Sequence, residues 1–249
     1  MVTALMEDTD LPVSEVFGPT IQGEGPFAGQ PAVFVRFMGC NLSCSWCDTP
    51  YTWDAIRFNL TAERTSMPAG LIALKAESCG INSKIVILTG GEPLLQQDKP
   101  GWRRLLESLE HAGKHAHLET NGTIAPNQTT MAHMSAIVVS PKLDNAGDHR
   151  GHQDPALHPG WMEVAGFRWV YLKFVCQTPA DVAYCAEYAA EIGWPRERVW
   201  VMPEGVTAVE LAERWPAIAA AAARHCVNAS HRLHVLACGG GGNCRPPFS

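Results

Sequence analysis

Three cysteines crowd into eight residues in the segment Gly39-Cys40-Asn41-Leu42-Ser43-Cys44-Ser45-Trp46-Cys47-Asp48-Thr49. Their spacing is C-x3-C-x2-C. Thiolates are the usual ligands of iron–sulfur cubanes, and three of them leave one iron of a [4Fe–4S] cluster without a protein ligand. An open coordination position marks a metal site that does chemistry, because a substrate or cofactor can occupy it. Zinc is the alternative: a structural zinc site wants a fourth Cys or His, which Cys238 or Cys244 near the C-terminus could supply. A disulfide framework does not suit a chain with an odd count of 9 cysteines and no export signal. Cys79, Cys176, Cys185 and Cys226 are scattered and read as small core or surface residues.

A second set of polar residues follows short apolar runs. Thr89-Gly90-Gly91-Glu92-Pro93, Glu119-Thr120-Asn121-Gly122, Ser140-Pro141-Lys142 and Met202-Pro203-Glu204-Gly205 each sit where a candidate strand ends. Gly, Pro, Asn and Ser are also ordinary turn formers. Four such tails in succession point instead to one mouth at the C-terminal ends of parallel strands, where barrels of this kind carry their chemistry.

The elements that must position these groups alternate. Candidate strands are Ala32–Phe37, Lys84–Leu88, Ala116–Leu118, Ala136–Val139, Tyr171–Val175, Val199–Val201 and Leu233–Leu236. Most lack polar alternation, as strands buried on both faces do. Between them the spacing predicts helices over Leu60–Ser78 with Thr61 as N-cap, Trp102–Ala112, Pro179–Ile192 behind Thr178, and Val209–His225, which Pro216 should kink or split. Repeated strand–helix units predict an α/β fold with right-handed crossovers. Asn145–Gly160, with His149, His152 and His158, reads as a mobile solvated loop.

The chain has 249 residues, 46% of them hydrophobic, which suits a single domain over 1–249 with a flexible Gly-rich tail from about residue 237. A net charge of -6 argues against nucleic acid or an anionic membrane as partner. Met1–Leu11 is acidic and has no apolar core of a signal peptide, and no apolar run reaches the roughly 20 residues needed to span a bilayer. A soluble, cytoplasmic protein is expected.

C-x3-C-x2-C with an aromatic, Trp46, before the last Cys resembles the signature of the radical S-adenosylmethionine (SAM) superfamily, and Gly90-Gly91-Glu92-Pro93 resembles its GGEP motif. The resemblance implies an incomplete, radical-SAM-like (β/α)6 barrel with one open face. It also implies that Cys40, Cys44 and Cys47 hold a [4Fe–4S] cluster. SAM would chelate the open iron and be cleaved reductively to a 5′-deoxyadenosyl radical.

The likeness narrows further. Phe17-Gly18-Pro19-Thr20-Ile21-Gln22-Gly23-Glu24-Gly25, Phe34-Val35-Arg36, Cys47-Asp48-Thr49, Glu119-Thr120-Asn121-Gly122-Thr123, Ser140-Pro141-Lys142, Lys173-Phe174-Val175 and Arg232-Leu233-His234-Val235-Leu236 are similar to stretches of the 7-carboxy-7-deazaguanine synthase family. That family contracts 6-carboxy-5,6,7,8-tetrahydropterin to 7-carboxy-7-deazaguanine with loss of ammonia, assisted by Mg2+, and regenerates SAM. The resemblance implies substrate contacts from Ile21, Gln22, Gly23, Glu24, Arg36, Thr89 and His234. It implies SAM contacts from Trp46, Asp48, Gly91, Glu92, Glu119, Asn121, Ser140, Pro141 and Lys142, and Mg2+ on Thr49. The chemistry agrees: a guanidinium fork suits the pterin carboxylate, and Gln22 with its neighbouring glycines offers both donors and acceptors to a flat heterocycle. The same residues have plainer readings: a structural salt bridge for Arg36, a turn cap for Thr49, a core position for His234, and turn roles for Ser140 and Lys142. An electron donor such as a flavodoxin and a homodimeric state come with the resemblance. The rivals are a radical SAM activase acting on a partner protein, and a zinc or iron–sulfur binding module. The chain departs from the family in its ending, Ala237-Cys238-Gly239 through Ser249.

Overall fold

A computed structural model of the chain describes residues 9–152 and 154–238. Six strands of five to seven residues form its parallel centre: β2 (Pro31–Phe37), β4 (Ile85–Gly90), β5 (His115–Thr120), β6 (Met134–Val139), β7 (Val170–Cys176) and β8 (Val199–Pro203). The two-residue β9 (Asn228–Ala229) pairs parallel to β8. On the other side β1 (Asp10–Ile21) runs antiparallel to β2, and β3 (Thr65–Pro68) antiparallel to β1. The order β3-β1-β2-β4-β5-β6-β7-β8-β9 does not close on itself among the described residues, so the barrel is incomplete.

Apolar runs make the strands, and helices cover their outer face. Val86, Ile87 and Leu88 of β4 are fully buried, as a strand covered on both faces must be. In α3 (Pro100–His111), Trp102, Leu105, Leu106 and Leu109 fall at helical spacing and are buried. After the short α4 (Gln128–His133), helix α5 (Pro179–Glu191) begins with a Thr178–Asp181 capping box and α6 (Ala208–His225) with a Thr207–Glu210 box, so the starts of α5 and α6 are fixed by reciprocal hydrogen bonds. The buried lysine Lys114, just before β5, donates to the carbonyls of Gly80 and Ser83 at 3.0 and 2.7 Å and secures the turn after α2 (Ala69–Cys79). Among the described residues no helix is long and apolar enough to cross a membrane.

Four expectations need correction. Leu60–Ser78 is not one helix: α1 (Leu60–Glu63), capped by Asn59 rather than Thr61, gives way to β3 before α2 starts. Pro68 forces Met67 out of the helical region, and the edge of β1 offers the freed backbone a partner. Helix α6 passes through Pro216 without splitting, because that residue lies on the exposed side, where water can satisfy the carbonyl it leaves unbonded. Leu233–Leu236 is not a strand but part of α7 (Leu233–Cys238). A four-residue apolar run has too little length to separate the two periods.

The fourth concerns Asn145–Gly160, which carries ordered turns although Gly147, Asp148, Arg150, Asp154 and His158 are exposed as a solvated loop would have them. Short 3-10 turns at Asp144–Ala146, Arg150–His152 and Pro159–Glu163 tie it down, and Trp161, just past its end, is fully buried. The 12-residue β1 went unforeseen because its polar positions and Gly18-Pro19 interrupt the apolar pattern. The Gly-rich tail from 239, Cys244 and the side chain of Cys238 lie outside the described residues.

Candidate active site

Strand tips meet at one cavity with about 1260 Å³ of space, its open mouth included. Cys40, Cys44 and Cys47 line it together with Ile21, Gln22, Gly23 and Glu24 and the tips of β2, β4, β5 and β7.

The cysteine loop leaves β2 through Gly39, whose φ of +92° suits a residue without a Cβ and whose N–H donates to the Thr52 carbonyl at 2.8 Å. Leu42, Cys44 and Ala146 form a small apolar cluster with Cys40, Trp46 and Cys47 around it. The segment after β6 straps this loop down. Ser45 N–H donates to the Ala146 carbonyl at 2.8 Å, the Trp46 indole to the Asn145 carbonyl at 2.9 Å, Ser43 N–H to His149 Nδ1 at 3.1 Å, and Arg150 N–H to Ser43 Oγ at 2.7 Å. His149 is thus an acceptor for the loop, a role that composition alone hid.

The sulfurs already have donors: Trp53 Nε1–H points at Cys47 Sγ (3.3 Å) and Leu42 N–H at Cys40 Sγ (3.4 Å). Burial pushes the Cys40 thiol up to about 12, with Glu92 and the other two cysteines adding to the effect. Burial raises Cys44 too, against the pull of Lys142. Two thiols that resist ionisation, Cys40 and Cys44, line one cavity with Cys47, and a cationic cluster would suit them. Among the described residues no three His, Cys, Asp or Glu are arranged to hold a metal ion directly. A cubane gives each thiolate its own iron, so the thiols need to surround a volume rather than meet at a point.

Next along, Gly91 N–H donates to the Phe37 carbonyl at 3.1 Å and Glu92 N–H to the Gly39 carbonyl at 2.8 Å, which fastens the Gly-Gly turn to the root of the cysteine loop. A Cβ on Gly91 would collide with the Gly39 carbonyl. Gly91 lines the cavity, but Glu92 does not. Fully buried, its carboxylate accepts from Leu94 N–H (2.9 Å), Thr120 Oγ1 (2.8 Å) and Asn121 N–H (2.7 Å). The Glu92 side chain is thus the centre of a knot that joins the tips of β4 and β5. Pro141 is likewise buried away from the cavity wall. Asn121 and Lys142 do line it. Asn121 Nδ2 donates to Asn41 Oδ1 at 2.9 Å, and Lys142 donates to Ser140 Oγ at 3.0 Å with its ammonium 5.7 Å from the Trp46 ring centre. Thr49, 5% exposed, lines the cavity beside Cys47, their Oγ1 and Sγ 3.8 Å apart.

The far half is an ionic chain. Glu119 accepts from Gln22 Nε2 and from Thr89 Oγ1, both at 2.9 Å, and lies 3.5 Å from Lys173. Lys173 donates to Glu24 Oε2 at 2.6 Å, and Arg232 donates its Nε to Glu24 Oε1 at 2.9 Å and an Nη to Asp48. Burial alone would raise the Glu24 carboxyl, but Lys173, Arg232 and His234 hold it well below its ordinary value. Burial likewise opposes ionisation of Asp48, and Arg232 overcomes it. Glu119 thus stands with Gln22, Thr89 and Lys173. Asp48 is held by Arg232. Arg36 lines the cavity while its Nε donates to Glu15 at 2.8 Å, the salt bridge of its plainer reading. His234 faces the cavity with its ring against Gly23, where a Cβ would overlap it. Lys173 and Arg232 were visible only as members of similar stretches. The signal for Lys173 was a lysine inside the apolar strand Val170–Cys176.

Comparison with known proteins decides the matter. A relative from Hyperthermus butylicus named 7-carboxy-7-deazaguanine synthase is 40% identical over 236 residues, 92% of this chain and 93% of its own length. The chain belongs to the 7-carboxy-7-deazaguanine synthase family. Relatives of the same name from Pyrobaculum aerophilum (35%, covering 91% of this chain and 94% of theirs) and Halobacterium salinarum (34%, 90% and 89%) agree. The Radical SAM superfamily model matches residues 34–136, from β2 into β6. The fold matches the crystal structure of QueE from Escherichia coli with a TM-score of 0.67 at 23% identity, over 90% of this chain and 95% of that one. As a member of this synthase family the chain is a radical SAM enzyme, a lyase of deazapurine biosynthesis. The family's cofactors, a [4Fe–4S] cluster and SAM, fit the cysteine end of the cavity.

Proposed function

We propose that this cavity converts 6-carboxy-5,6,7,8-tetrahydropterin to 7-carboxy-7-deazaguanine and ammonia, with the cofactors at the cysteine end and the pterin against Gln22, Glu24, Thr89 and Glu119. Bound cluster and SAM would supply a hydrogen-abstracting radical. The protein's own groups orient the substrate towards it. The observation that carries the reading is the ionic chain in the same cavity as the thiols, where Glu119 and Glu24 are both held to Lys173. Ionised Glu24 is an acceptor for the amino and ring N–H groups of a pterin. Gln22 and Thr89, already fixed by Glu119, present oriented polar atoms to the same face. With Nε on Glu15, the outer edge of the Arg36 guanidinium would meet the substrate carboxylate. Asn121 and the Ser140–Lys142 pair border the SAM half, and Ile21, Gly23 and His234 the pterin half. Thr49 supplies one neutral oxygen for Mg2+, the rest coming from substrate and water. An electron donor such as a flavodoxin reduces the cluster, in the cytoplasm, and the enzyme works as a homodimer.

The test is an anaerobic assay with reconstituted protein, SAM, reductant, Mg2+ and the carboxylated tetrahydropterin, read by mass spectrometry. Formation of the deazaguanine without proportional loss of SAM is expected. 5′-Deoxyadenosine without deazaguanine would sink the substrate assignment while leaving the radical SAM class intact.

A further inference from the structure

We propose that Arg232 is a positioning residue that sets the distance between the pterin and the radical source by joining three separate segments at once. The inference rests on the substrate reading above. Arg232 is 6% exposed. Its Nε donates to Glu24 at 2.9 Å, in the turn after β1. One Nη donates to Asp48, which directly follows the cysteine Cys47, and the other to the Gly205 carbonyl just beyond β8. Glu24 borders the pterin half and Asp48 the cofactor half, so one planar group spans the junction of the two.

The surroundings are built to hold that group still. Leu233 N–H donates to the Gly23 carbonyl at 2.9 Å, Gly25 N–H to Ser230 Oγ at 2.7 Å, and Ser230 N–H to the Val201 carbonyl at 3.0 Å. Gly23 lets α7 seat: a Cβ there would strike the His234 ring and come within 3.0 Å of its backbone nitrogen. The C-terminal segment is thereby a wall of the cavity fastened from two sides. A lysine could reach one carboxylate but not three acceptors in one plane. Transfer of a hydrogen atom needs reacting atoms near contact distance, and a 1 Å misplacement costs about 10²-fold in rate.

The experiment uses the full chain carrying Arg232→Gln or Arg232→Lys. Three quantities are read: deazaguanine formed per 5′-deoxyadenosine, KM against kcat, and hydrogen exchange of the cluster-free protein. For Arg232→Gln, the iron–sulfur absorbance should persist and kcat should fall about 10²-fold. 5′-Deoxyadenosine should then accumulate without product, and exchange should quicken together in residues 22–25, 47–49 and 230–238. Arg232→Lys should fall between Gln and wild type. A lower melting temperature with wild-type coupling and KM would reduce Arg232 to a structural salt bridge and overturn the proposal, as would faster exchange confined to 230–238. Should Arg232→Gln not fold, Gly23→Ala displaces α7 with the guanidinium intact and must uncouple the reaction; tight coupling there refutes the idea. If wild-type protein makes no product from the pterin, the substrate reading fails, and the exchange pattern still decides whether Arg232 bridges the three segments.

Discussion

Lys173→Met removes a cation from the middle of the ionic chain. Lys173 is 5% exposed, and its ammonium lies 2.6 Å from Glu24 and 3.5 Å from Glu119. Deleting one partner of a buried ion pair leaves the other charge uncompensated, at a cost of about 3–5 kcal/mol. Glu24 keeps Arg232 at 2.9 Å, and Glu119 keeps the Gln22 and Thr89 donors, so the lower end applies. For a protein near this size about 1 kcal/mol shifts the melting temperature by roughly 2–4 °C, which predicts a fall of roughly 6–12 °C. Lys173→Met combined with Glu24→Gln removes the stranded charge as well. It should recover most of the loss, because the single change is costly chiefly through the carboxylate it leaves behind. Thermal unfolding of the wild type, both single variants and the double variant gives the cycle. A Lys173→Met loss below about 1 kcal/mol, or strictly additive effects in the double variant, would show that solvent in the open cavity screens the chain and that the pairing carries little energy.

Two further outcomes follow from individual side chains. His117, 7% exposed beneath the Phe27 ring, is driven by burial from an ordinary 6.5 to a pKa of about 4, so the unfolded chain takes up its proton first on acidification. Stability should fall between about pH 6.5 and pH 4 by about 3 kcal/mol and level off below; His117→Leu should flatten that stretch of a urea-midpoint profile, and an unaltered slope would place the acid sensitivity elsewhere. Arg36→Ala removes a charge-assisted contact to the substrate carboxylate and should weaken pterin binding about 10- to 100-fold while reductive cleavage of SAM continues. Unchanged affinity in an equilibrium titration would leave Arg36 serving Glu15 alone.

How much of the molecule could be read from the chain depended on the distance over which each feature is made. Six central strands and the α3, α5 and α6 helices were legible because burial on both faces or on one stripe writes itself into the local pattern. Leu60–Ser78 misled because its helical spacing continues across Pro68, and only the β1 edge, some 55 residues earlier, explains why the chain extends there. Asn145–Gly160 misled through composition. Its polar residues suggested solvent, whereas Asn145 and His149 spend their polar atoms on the cysteine loop about 100 residues away.

The two halves of the site differ for the same reason, and the chemistry dictates which half is which. A cubane needs three sulfurs within a few ångströms of one another, and a short loop is the cheapest way to hold them, so the cofactor end is contiguous and shows in the spacing of Cys40, Cys44 and Cys47. A flat heterocycle with donors on one edge and a carboxylate on another needs partners on opposing walls, which no single segment can supply. Gln22, Thr89, Glu119, Lys173 and Arg232 therefore come from different strand tips and from the C-terminal segment, joined by contacts such as Lys173–Glu24 and Arg232–Asp48 that span 149 and 184 residues. Their residue types were visible, but their pairing was not. Pairing is what turns Glu24 from a generic acceptor into one held ionised by Lys173 and Arg232, and what ties Glu119 to Gln22, Thr89 and Lys173. A residue's place in a motif thus predicts which site it serves better than what it touches, and Glu92, central to its motif yet turned into the protein, marks the limit of the inference.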